Sequence, residues 1–79
     1  MFQIVRVTLD DNGDVIARRP LQPLFERRDH AMLIARNDAA GLWGDYGYDD
    51  EHKCWWASDG RDRRYRFAVE QIATDDIAA

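Results

Sequence analysis

Residues 49 to 60 read DDEHKCWWASDG and gather acids, a histidine, the chain's single cysteine and two adjacent tryptophans. Three chemistries draw on such residues: metal ligation, thiol catalysis and aromatic recognition. A structural zinc site takes four ligands, whereas His52 and Cys54, two apart on one strand face, supply two. The other histidine, His30, lies on or just before the expected helix, and Asp49 to Glu51 converge poorly because they share one turn. A core cysteine beside a strand-end histidine is the better reading, since free cysteine is among the most buried residue types. No metal and no cofactor are expected.

Thiol catalysis needs an exposed, low-pKa cysteine within hydrogen-bond reach of an imidazole. Along a strand at about 3.3 Å per residue, His52 lies roughly 6–7 Å from Cys54. The carboxylates sit in turns, where solvation is their ordinary role. No catalytic residue is assigned, and the chain is read as a non-enzyme.

Aromatic recognition depends on which way each ring points. Successive strand residues alternate between faces, so Trp55 and Trp56 cannot both be core. His52, Cys54 and Trp56 share one face, and Lys53, Trp55 and Ala57 the other. A two-residue loop (Asp59-Gly60) would set Cys54 opposite Tyr65, and a four-residue loop would set it opposite Phe67. Either places Tyr65, Phe67 and Val69 with the cysteine, and Arg64 and Arg66 with Trp55; only a bulge, which shifts parity, would overturn this. A three-residue DDE turn adds Tyr46 and Tyr48 to the core face and sets Gly44 opposite Trp56, leaving room for the indole. Trp55, Arg64, Arg66 and Lys53 are then the candidate binding patch, with guanidinium stacking on an indole contributing roughly 0.5–1 kcal/mol when exposed.

The elements that must position these residues follow from hydrophobic period and turn chemistry. FQIVRVTLDDNGDVIARR predicts a hairpin of strands 3–9 and 15–19 around Asn12-Gly13, the dipeptide of a two-residue type I′ turn. That turn would set Leu9 opposite Ile16, with Val5 and Val7 on their face and Arg6, Thr8 and Ala17 on the other. Asp10, Asn12 and Asp14 alternate as calcium ligands do, but an EF-hand loop needs Gly where Val15 stands and Glu where Leu21 stands. Pro20 and Pro23 are expected to stop the strand. A helix follows at about 27–40, its stripe formed by Leu24, Phe25, Arg28, Met32, Ala35 and Ala39, widened by Ala31 and Ile34. Asp29 is either its N-cap or part of its first turn, and Gly41 is the residue expected to end it. LWGDYGY, HKCWWA and RRYRFAVE then alternate with period two as an antiparallel meander. The fold class is α+β: one small domain over residues 1–70, in ββαβββ order, with one helix on one face of an antiparallel sheet and a frayed tail at 71–79.

Composition bounds the partners. The chain has 79 residues, of which 46% are apolar and 33% charged, as in ordinary globular domains. Seven of its nine aromatic residues lie between Trp43 and Phe67, which concentrates large buried area in a short chain. Residues 1–40 are charge-balanced, and residues 41–79 carry the net charge of −4. That sign opposes phosphate binding, although GRDRRYRF interleaves cations and rings as single-strand binders do. A weak single-stranded nucleic-acid binder is therefore the alternative, and association with a protein partner or a second copy the leading expectation, because tryptophan and arginine dominate interface hot spots. One cysteine excludes an internal disulfide. No run approaches the 18 apolar residues of a membrane span, and the opening MFQIVRVTLDD lacks signal-peptide character. A cytoplasmic setting is expected.

Overall fold

The N-terminal hairpin forms around a carboxylate. Asp10 accepts hydrogen bonds at Oδ1 from the backbone N–H groups of Asn12 and Asp14, both at 2.9 Å, and Gly13 takes φ 85°. In this computed structural model, which describes residues 1–42, 44–60 and 63–72, the hairpin joins β1 (Phe2–Leu9) to β2 (Val15–Phe25). The connection spans 10–14 instead of two residues, so Leu9 pairs with Val15. An irregularity after Thr8 leaves Ile16 out of the register and 52% exposed. The expected Leu9–Ile16 pair does not form because the Asp10 carboxylate closes a longer loop than Asn-Gly alone would.

Pro20 and Pro23 do not end β2, which continues to Phe25 with a cis Gln22–Pro23 bond. The strand order β2-β1-β5-β4-β3 explains the tolerance: β2 has a neighbour on one side only, and an edge strand can omit donors that a central strand cannot.

Helix α1 (Arg28–Ala40) matches the expected position to within a residue. Arg27 is its N-cap and contributes no side-chain cap bond. Asp29 lies in the first turn, where its carboxylate accepts from Arg27 Nη2 at 2.7 Å and from the His30 N–H at 3.0 Å, with negative charge at the favourable end of the dipole. Gly41 ends the helix at φ −72°, without the left-handed conformation glycine permits. The sheet-facing stripe is Ala31, Ala35 and Ala39, each at most 1% exposed, at the i, i+4, i+8 spacing that stacks one face.

The meander comprises β3 (Tyr46–Asp49), β4 (Cys54–Ser58) and β5 (Arg64–Gln71). All pairings in the five-stranded sheet are antiparallel, and β1 closes it against β5 from Phe2↔Gln71 to Leu9↔Arg64. The fold is thus α+β in ββαβββ order, with α1 packed chiefly on β5 and β4. Gln71 still belongs to β5, and the Ile72 N–H donates to the Met1 carbonyl at 2.8 Å. The rest of the expected tail, 73–79, lies outside the described residues.

Loop lengths correct the expected faces. Trp55 pairs with Phe67, Ala57 with Tyr65 and Ser58 with Arg64, so five residues, 59–63, join β4 to β5. An odd count shifts parity relative to two or four. Trp55, Ala57, Tyr65, Phe67 and Val69 therefore join Phe2, Ile4 and Phe25 beneath the helix. The turn before β4 is 50–53, four residues instead of three, which leaves His52 outside the strand and sets Gly47, not Gly44, opposite Trp56.

Candidate interaction face

The sheet presents two faces of different chemistry. Beneath the helix, Trp55 is half-buried, meets Tyr48 edge-on with ring centroids 5.3 Å apart, and has the Arg36 guanidinium 5.9 Å from its ring centre. This tryptophan is a packing residue between helix and sheet. The arginines expected beside it lie on the reverse face.

On that reverse face Trp56 takes the place assigned to Trp55. It pairs with Arg66 on one side and Gly47 on the other and is 37% exposed. A Cβ on Gly47 would fall 2.9 Å from Trp56 Nε1 and 3.0 Å from its Cε2, so the indole lies directly over the glycine. Trp56, Ser58, Arg64, Arg66, Asp45 and Asp49 line a shallow concavity of about 430 Å³. Arg66 lies between Val7 and Trp56, and Arg64 between Leu9 and Ser58. Long side chains thus flank the apolar residues here, and Val5 and Leu9 are 3% and 5% exposed without a helix over them. An ion pair of Arg18 with Glu70 spans β1 further along. Lys53 is not part of this face. It occupies the 50–53 turn at φ 53° and pairs with Asp50 at 3.0 Å, a solvated contact of little energetic weight.

Asp49 organises the acidic end of the concavity. Its carboxylate accepts from the N–H groups of Glu51 at 3.0 Å and His52 at 3.2 Å, and meets His52 Nδ1 at 2.7 Å. The His52 ring contact, then the backbone donors, hold the Asp49 carboxyl below the usual carboxylate range. Ligand atoms of Asp49, Glu51 and His52 lie within 4.8 Å of one another, a closeness the turn's own hydrogen bonds account for.

Cys54 is 2% exposed. Burial pushes its thiol up, the neighbouring Asp49 charge adds to that, and Arg66 opposes it. A nucleophilic thiol requires the reverse, access and a lowered pKa. His52 lies in the 50–53 turn and Cys54 opens β4, and what the fold brings to one place is an aromatic ring, two guanidinium groups and two carboxylates.

The expected site residues divide accordingly. Arg64 and Arg66 are together on the reverse face, Trp55 is under the helix, and Lys53 is in a turn. Trp56, Asp45 and Asp49 were missed as members of the face. The signals were two loop lengths that composition alone leaves open: 59–63 sets Trp56 beside Arg66, and the 50–53 turn brings Asp45 and Asp49 to the same face.

Comparison with known protein families, with characterised proteins and with solved structures returns no match. Among the described residues, no helix is long and apolar enough to cross a membrane.

Proposed function

We propose that this domain is a non-catalytic interaction module that pairs with a second copy of itself through the sheet face opposite the helix. The reading rests on one observation: Trp56, Arg64 and Arg66 share that uncovered face with Asp45 and Asp49 around a single concavity. Two cations and two anions on one patch make it self-complementary. A two-fold axis matches a patch with itself, so arginines of one copy can meet carboxylates of the other. Tryptophan and arginine are the side chains that most often carry interface energy. The setting is taken as cytoplasmic, where a lone buried thiol stays reduced.

Single-stranded nucleic acid is the competing occupant, since bases stack on exposed tryptophan beside arginine. The carboxylates in the same concavity and the net charge of −4 repel phosphates.

Sedimentation equilibrium at low and moderate salt decides between them. The wild type is expected to be dimeric at hundreds of micromolar. Trp56→Ala and Arg66→Glu should each weaken the dimer by about 2 kcal/mol, roughly thirtyfold. A monomer throughout that range overturns the proposal. So does a salt-dependent complex with a mixed-sequence single-stranded oligonucleotide that is lost in the same variants.

A further inference from the structure

A second concavity lies on the helix side, between α1 and the β1–β2 ribbon. It has a volume of about 380 Å³, and Ile4, Leu21, Phe25 and Ile34 supply apolar walls. That size is at the small end of ligand pockets. Two charged side chains, Arg6 from β1 and Asp38 from α1, line the same groove. Neither forms an ion pair among the described residues. Arg6 Nε is buried without a hydrogen-bond partner, and the guanidinium carbon stands 5.9 Å from the centre of the Tyr65 ring. Asp38 is half-buried, and burial raises its carboxyl pKa.

A donor buried without an acceptor lowers stability unless something else supplies one. An apolar concavity holding a few polar groups is the usual form of a small-molecule site. The pair of opposite charges narrows the chemistry. A simple carboxylic acid would satisfy Arg6 and meet Asp38 with like charge. A simple amine would do the converse, and a neutral apolar molecule would leave both groups unmatched.

We propose that the groove binds a free apolar α-amino acid, its carboxylate on Arg6, its ammonium group on Asp38 and its side chain against Leu21, Phe25 and Ile34. The site is on the opposite side of the sheet from Trp56, so occupancy does not require the pairing proposed above.

The test is an NMR titration of the wild-type chain with L-leucine, N-acetyl-L-leucine and L-leucinamide, followed at the methyl groups of Leu21 and Ile34. Leucine is expected to give saturable shifts at those methyls. The acetylated and amidated forms, each lacking one charge, should bind about tenfold more weakly or worse. Arg6→Met and Asp38→Asn should each cost a similar factor for leucine, and Asp38→Asn should narrow the preference for leucine over its acetylated form. Asparagine is close to isosteric with aspartate, so this variant remains informative if Arg6→Met fails to fold. Absence of saturable shifts with leucine overturns the proposal, as does equal affinity for leucine and leucinamide.

Discussion

Trp55 and Trp56 carry the same ring into opposite settings, and substitution distinguishes them. Trp55 lies between the helix and β4, against Tyr48 and beneath Arg36. Its loss removes helix–sheet packing, and Trp55→Ala should lower unfolding free energy by about 3 kcal/mol. Trp56 packs over a glycine and is 37% exposed, so Trp56→Ala should cost less than about 1 kcal/mol in the monomer. Urea titrations of the two variants at dilute, monomeric concentration measure the difference, and equal losses would contradict the assigned faces. Alternation along CWWAS makes it legible from sequence that one ring faces inward and the other outward. Which ring does so is not, because that depends on the loop 59–63, where one residue more or fewer exchanges every side chain between faces. The grouping of Arg64 with Arg66 was legible because residues two apart on a strand share a face in any register.

Elements depend on contacts that a residue-type pattern reports unevenly. The helix was legible nearly to its ends because Met32, Ala35 and Ala39 keep helical spacing and Gly41 follows, although Leu24 and Phe25, expected on the same stripe, belong to β2 and Arg28 is exposed. The extent of β2 was not, because prolines forbid a central strand and merely constrain an edge strand. The glycines of the meander show the same limit. A glycine making room for Trp56 was expected, and the fold assigns that role to Gly47 while giving Gly44 a stricter one. A Cβ on Gly44 would fall 1.8 Å from the Ser58 carbonyl oxygen and 2.9 Å from the Gly60 nitrogen. Both are backbone atoms beside the point where the Ser58 N–H donates to the Asp45 carbonyl at 2.7 Å. Gly44→Ala must displace the entry to β3, and should cost about 3 kcal/mol or more. Gly47→Ala meets only an exposed indole that can swing outward, and should cost about 1 kcal/mol. Thermal unfolding of both variants by circular dichroism is the check; a smaller loss for Gly44→Ala would refute the close approach.

At the scale of the whole molecule, the decisive contact is the one between the chain's two halves. Strand β1 is flanked by its hairpin partner β2 and by β5, so Phe2 meets Gln71 across a separation of 69 positions (71 − 2). Periodicity and turn residues describe neighbours along the chain, and nothing in them specifies this pairing; strand order was the part of the fold the sequence left open. The energetic order of assembly follows from the same separation. Closing a long loop costs entropy before any contact across it is made, while the β1–β2 and β4–β5 hairpins close short loops. The two hairpins should therefore be in place before β1 docks on β5. Ile4 is 2% exposed and pairs with Val69 in that late junction. Ile4→Val should destabilise by about 1 kcal/mol, with most of the loss appearing as faster unfolding and little as slower folding. Refolding itself should fall in the millisecond-to-second range of sheet proteins with distant pairings. Stopped-flow chevrons of the wild type and Ile4→Val measure both quantities. A variant whose folding limb carries the full loss would place the β1–β5 junction in the transition state, and would reverse the order of assembly argued from loop closure.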